Sequence, residues 1–266
     1  MHPMKPPHLY LPADLEPFRA HIEATVTPCI NITASAPLPP DADPTRSRFG
    51  GTPYWPAHRP YPQQPEGEWL WLLAQIDFAE VPPLQNFPDR GLLQFFIADN
   101  DLWGMDMDHP FNQDSFRVVY HREIDVQRQP SLTDFSFLGR PSFGLPFESA
   151  RALEFIPDRQ PIANDDYRFA DRLPEIWESD DLCDLYGDVL GATGHRLGGY
   201  PFFTQTDPRA VDPENRADVL ELLFQMDSDE DAGILWGDVG VCNFFIDPEA
   251  LQRLDFSNVL YNWDCS

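Results

Sequence analysis

Arg48-Phe49-Gly50-Gly51-Thr52-Pro53-Tyr54-Trp55 is answered later in the chain by Arg196-Leu197-Gly198-Gly199-Tyr200-Pro201-Phe202-Phe203. Each block leads into an apolar run that ends in Gln-x-Asp, at Gln75-Ile76-Asp77 and Gln225-Met226-Asp227. A third pair sets Gly91-Leu92-Leu93-Gln94-Phe95-Phe96-Ile97 against Gly240-Val241-Cys242-Asn243-Phe244-Phe245-Ile246. The offsets are 148 (196 − 48), 150 (225 − 75) and 149 (240 − 91). A register held over three blocks marks a duplicated structural unit. The copies span about 46–103 and about 194–252, inside one domain covering residues 1–266.

Outward from these blocks the pattern is mainly that of strands. Residues 69–76 read as a strand buried on both faces, with Trp69, Trp71, Leu73, Gln75 and Asp77 on one parity and Leu70, Leu72, Ala74, Ile76 and Phe78 on the other. Residues 92–98 and 116–121 read as further strands, and the Pro/Gly/Ser-rich stretch 130–146 as loop. Helical spacing of Leu15, Phe18, Ile22 and Val26 behind Asp14 predicts a helix over about 14–27. A second helix is predicted over 174–190, before Gly191. Asp212-Pro213-Glu214 and Asp247-Pro248-Glu249 have the N-cap, N1 and acidic first-turn chemistry of short helices. The fold class is therefore mainly β (α+β): a duplicated β-roll-like scaffold with several peripheral helices.

Composition narrows the function classes. The 266 residues carry 44 acidic against 18 basic groups, a formal net charge of −26, with Lys5 the only lysine. That balance opposes phosphate-backbone binding, so nucleic acid is not an expected partner. It suits solubility, and it would attract a basic protein partner. Cys29, Cys183, Cys242 and Cys265 are scattered without metal or redox spacing. The N-terminus lacks a continuous apolar leader, and no run is long enough to span a bilayer, so the expectation is a cytoplasmic protein without a membrane partner.

The two Arg-x-Gly-Gly-x-Pro blocks, Leu-x-x-Gln-x-Asp, and the late Trp236-Gly237-Asp238-Val239-Gly240 with its Phe-Phe-Ile strand resemble the YwqG-like family, also described as DUF1963. The resemblance runs from about residue 48 to 264. It implies a mainly β, roll-like fold with an internal duplication, and it implies no reaction, cofactor or catalytic set.

The repeated polar residues have two readings. In the structural one, Asp77 and Asp227 accept hydrogen bonds from a loop or pair with Arg48 or Arg196, while Gln75 and Gln225 pin neighbouring backbone. In the functional one, Asp77 and Asp227 meet across the repeat axis as an acid/base carboxylate pair of a hydrolase acting on a small molecule or carbohydrate.

The unrepeated residues are the other candidates. Asp227, Asp229, Asp231 and Asp238 place carboxylates at intervals that approach a Ca²⁺ loop, with Ala232 where Gly is wanted and Asp238 in place of Glu. Ca²⁺ is the single cofactor so suggested, against an exposed acidic turn and no cofactor. Asp106, Asp108 and His109 form another carboxylate-imidazole group, read as a solvated loop. His195 stands where the first copy has Ser47, marking either a local hydrogen-bonding difference or a site in the second half. Tyr54, Trp55, Tyr61, Trp69, Trp71, Trp103 and Trp236 would suit a carbohydrate or peptide groove, against a simpler reading of most of them as core; Trp55 in its Pro-rich turn is the expected exposed ring, and Trp236 stands with it among the binding candidates. No phosphate loop, nucleophile elbow or metalloprotease helix is present. The expectation is a non-enzymatic binding or interaction protein using Arg48, Trp55, Gln75, His195, Arg196, Gln225 and Trp236. A basic protein or peptide is the expected partner, with an immunity-type role as one form.

Overall fold

In a computed structural model, residues 9–39, 41–124, 130–210 and 219–266 are described. Ten antiparallel strands form a single sheet: β1 (Thr27–Pro37), β2 (Arg48–Phe49), β3 (Trp71–Asp77), β4 (Leu92–Ile97), β5 (Phe116–His121), β6 (Arg151–Gln160), β7 (His195–Gly198), β8 (Glu221–Asp227), β9 (Val241–Ile246) and β10 (Val259–Asp264). Their order is β10-β9-β8-β7-β1-β6-β2-β3-β4-β5, and the sheet curls into a nearly closed barrel. The fold is mainly β, as the sequence leads one to expect.

The order reads the same from both ends, as a twofold rotation requires. Arg48 pairs with Ala152 and Arg196 with Asn31, each two positions before a member of the Thr33–Glu154 pair at the centre of the sheet. Rotation about that pair exchanges β2–β5 with β7–β10. The central strands are crossed between the halves: β1 precedes β2 in the chain but borders β7, and β6 precedes β7 but borders β2.

Barrel closure gives the strands two buried faces. Phe95 reaches Phe224 and Phe244 across the interior, with ring centroids 4.7 and 4.8 Å apart, so the halves share one core. The outer face is covered separately in each half, by Trp55, Tyr61, Leu70, Leu72 and Phe96 in one and by Phe203, Leu220, Leu222, Phe245 and Leu260 in the other. Simple alternation along β3 does not hold. A bulge between Leu72 and Ala74 turns Leu72 outward and leaves Leu73, Ala74 and Ile76 inside, and β8 repeats it between Leu222 and Phe224.

Each Arg-x-Gly-Gly block ends a short strand in two successive left-handed residues, Gly50 and Gly51 at φ 62° and 75° and Gly198 and Gly199 at φ 65° and 77°. A Cβ on Gly50 would lie 2.6 Å from Phe147, and one on Gly199 2.7 Å from Gln160 Oε1. Both backbone angle and space therefore demand glycine there.

The helices are shorter than the periodicity predicts. A 3-10 turn at Glu16–Phe18 leads into α1 (Arg19–Ala24), and the chain is already in β1 at Thr27, because that strand has partners on both sides. Between β6 and β7 lie α2 (Phe169–Arg172), α3 (Pro174–Trp177) and α4 (Asp180–Leu190). The predicted helix over 174–190 is broken at Ser179, whose extended backbone and hydroxyl cap the N–H of Leu182, starting a new helix ahead of Asp180 and Asp181. These helices pack with α1 in a core of their own around Leu15, Ile22, Phe169, Ile176 and Tyr186. Asp247 caps α5 (Pro248–Arg253) through the N–H groups of Glu249 and Ala250. The other Asp-Pro-Glu start, at Asp212, lies outside the described residues. No helix among the described residues is long and apolar enough to cross a membrane.

Candidate functional site

The repeated residues hold loops to the sheet. Gln75 Nε2 donates to the carbonyls of Pro44 and Arg46 at 2.7 and 2.8 Å, and its Oε1 accepts from Tyr54 N–H at 2.9 Å. Gln225 makes the equivalent set, donating to Ala192 and Gly194 at 2.8 and 2.7 Å and accepting from Phe202 N–H at 2.8 Å. Arg48 does not pair with Asp77. Its guanidinium donates to the carbonyls of Arg46, Thr52 and Asp43, while Arg196 donates to Thr193 O and to Gln160 Oε1. Burial pushes both guanidiniums below the ordinary arginine range.

Asp77 and Asp227 do not bond to each other. Asp77 Oδ1 accepts from Ala79 N–H, whereas Asp227 accepts from Gly194 and Ser228, each carboxylate inside its own half. Burial raises both above the usual carboxylate range. The His195/Ser47 mismatch is a substitution of acceptor. Ser47 Oγ accepts from Asp77 N–H at 2.8 Å, and His195 Nδ1 accepts from Asp227 N–H at 3.0 Å. That assignment leaves the His195 proton on Nε2, which faces Asp229 Oδ2 at 3.3 Å.

The four carboxylates of the Ca²⁺-like stretch go separate ways. Asp227 serves Gly194, Asp229 serves His195 and Ala232, and Asp231 and Asp238 are exposed. Asp229 and Ile234 exchange both backbone bonds, so the stretch is a tight hairpin turn. Among the described residues no group of three or more His, Cys, Asp or Glu side chains is placed to hold a metal ion. Asp106 accepts from the N–H groups of Asp108 and His109 in a surface loop.

The expected exposure of Trp55 is corrected, and Trp236 takes the core reading. Trp55 is 4% exposed rather than open to solvent, because Tyr61 and Phe96 pack edge-on against it and its Nε1 donates to Arg59 O. Trp236 is fully buried between Trp103 and Trp263.

An exposed aromatic surface lies beside the hairpin that follows Tyr61. A hollow of about 570 Å³ is lined by Glu66, Glu68, Trp69, Trp71, Asn100, Arg140 and Phe143 among others. Gln63 and Trp69 bridge a tight hairpin whose tip, Gly67 at φ 102°, turns Glu66 and Glu68 to solvent. Neither carboxylate has an ion-pair partner among the described residues. Phe143, which also lines the hollow, is 71% exposed. Its loop is nevertheless tied down, since the Asp99 carboxylate accepts from the N–H groups of Ser142, Phe143 and Gly144, and Trp103 Nε1 donates to Gly144 O at 3.0 Å. Phe137 packs edge-on to Trp69 at 4.7 Å beside the same hollow. An apolar ring held out to solvent by a fixed loop has already met the ordering cost of a binding contact.

Sequence reasoning missed Phe143, Glu66 and Glu68. The available signal was an aromatic side chain inside a stretch read as loop, 130–146, with no periodicity to bury it. A family model described as "Domain of unknown function (DUF1963)" matches residues 47–265. No curated protein matches the chain.

Proposed function

The chain belongs to the DUF1963 family, a domain of unknown function, and on that premise we propose a non-enzymatic interaction protein that docks a basic partner on the hollow between Trp69, Trp71 and Phe143. The observation that carries this reading is Phe143, open to solvent on a loop fastened by Asp99. Aromatic rings supply contact area and attract cationic side chains through their faces, and Glu66 and Glu68 supply the neighbouring charge. The net charge of −26 supports the same sign of partner by steering it at long range.

A lysine decamer, titrated while tryptophan emission is followed, tests the reading. Binding is expected to weaken with salt, and to weaken at least about tenfold in Phe143→Ala and in the double variant Glu66→Gln/Glu68→Gln. A decamer that fails to bind, or that binds these variants as tightly as the parent, overturns it; the second result would assign the attraction to diffuse charge.

A further inference from the structure

The nearly closed barrel leaves a seam between its two edge strands, β5 and β10. Beside β5 the seam opens into a groove of about 740 Å³, walled on one side by Arg117–Tyr120 and on the other by Leu254, Phe256 and Ser257.

One side chain shows what chemistry the two walls fit. Gln113 Oε1 accepts from Val118 N–H at 2.8 Å, and its Nε2 donates to the carbonyls of Phe256 and Ser257 at 2.9 and 3.2 Å. A single carboxamide thus accepts from one wall and donates to the other, which is how a peptide group of an intervening strand would act. Because Val118 N–H points away from β4, the antiparallel alternation turns the N–H and C=O of Tyr120 away from β4 as well. Among the described residues neither group has a hydrogen-bond partner in the backbone or in a side chain. Beyond Gln113 the edge therefore remains a template for pairing.

The groove also carries a sign. Arg59 and Arg117 line it, and among the described residues neither has a carboxylate partner, in a chain with 44 acidic and 18 basic residues. Arg59 lies 5.9 Å above the Trp55 ring and donates to His121 Nδ1, while Arg117 donates to the carbonyls of Gln113 and Gln63. Both guanidiniums are thereby held by neutral groups, which leaves their charge unanswered.

We propose that this seam binds an extended segment of a partner protein as an additional strand against β5, with a carboxylate side chain of that segment seated on Arg59 and Arg117. Main-chain bonds to Tyr120 supply affinity, and the two arginines supply selectivity, as in strand addition to other sheet edges. The seam lies on different residues from the Phe143 hollow, and takes the opposite charge.

Selection of a phage-displayed random heptapeptide library on the full chain tests this directly. Enriched peptides are expected to carry Asp or Glu. A synthetic peptide of that sequence should lose at least about tenfold in affinity for Arg59→Gln and for Arg117→Gln. It should bind Glu66→Gln/Glu68→Gln unchanged. N-methylation of alternate peptide residues, tested on the unaltered protein, should abolish binding by removing the N–H groups a strand needs. Failure to select any peptide, selection of peptides without carboxylates, undiminished binding to both arginine variants, or undiminished binding of the N-methylated peptide overturns the proposal.

Discussion

At the residue scale, His121 shows how burial and one neighbour choose a protonation state. Its Nδ1 faces the Arg59 guanidinium, which can only donate, so the proton sits on Nε2 and is given to Gln94 Oε1 at 2.9 Å. Burial, with the positive charge of Arg59 beside it, pushes His121 down to about 4. Between that value and the ordinary histidine range the unfolded chain holds a proton that the folded chain does not, so stability is fully present at neutral pH and falls as the pH drops toward 4. Below about 4 both states are protonated and the loss stops growing. Comparing melting temperatures of the parent and His121→Gln from pH 7 to 4 isolates this from the carboxylates, because both chains share them. The parent should lose stability relative to the variant, by an amount on the order of 2 kcal/mol at pH 4. Parallel curves would sink the assignment.

At the scale of elements, the glutamines organise each half. Gln94 Nε2 donates to Tyr54 O and to Gln75 Oε1, and Gln75 in turn holds the 44–46 loop, so a polar ladder crosses β5, β4 and β3 before reaching the Arg-x-Gly-Gly turn. The second half has a shorter version, in which Asn243 donates to Phe202 O. Gln75→Ala and Gln225→Ala should each cost about 2–4 kcal/mol in denaturant unfolding, because each leaves buried carbonyl and N–H groups unpaired. A loss below about 1 kcal/mol at both sites would contradict the pinning role. These glutamines were legible as repeated polar positions beside apolar runs. Their partners were not: Pro44, Arg46, Ala192 and Gly194 offer only main-chain carbonyls, which no side-chain pattern announces. The Phe143 loop was invisible for a related reason, since Asp99 reaches across more than forty positions to hold it.

At the scale of the whole molecule, the two halves form one cooperative body. The central strands are crossed, and Phe95 of one half packs on Phe224 and Phe244 of the other, so neither half has a complete core. Calorimetry should show a single unfolding transition, whose midpoint rises by about 3 °C or more between 10 and 200 mM NaCl as the self-repulsion of 26 net negative charges is screened. Two resolved transitions, or a midpoint that falls with salt, would count against this description. The duplication, the β class and the acidic character were determined by the sequence itself, because repeated blocks, alternating or continuous apolar runs and charge totals are local or additive properties. The central strands escaped it: β1 and β6 precede connections of unlike length, since the path from β6 to β7 carries α2, α3 and α4, and that insertion removes the constant offset. Only tertiary structure decided that β5 and β10 face each other across a seam, that Trp55 is covered while Phe143 is not, and that Asp77 and Asp227 serve separate loops. Each of these depends on which distant segments meet, and barrel closure sets those meetings through strand order and register, which a linear pattern does not encode.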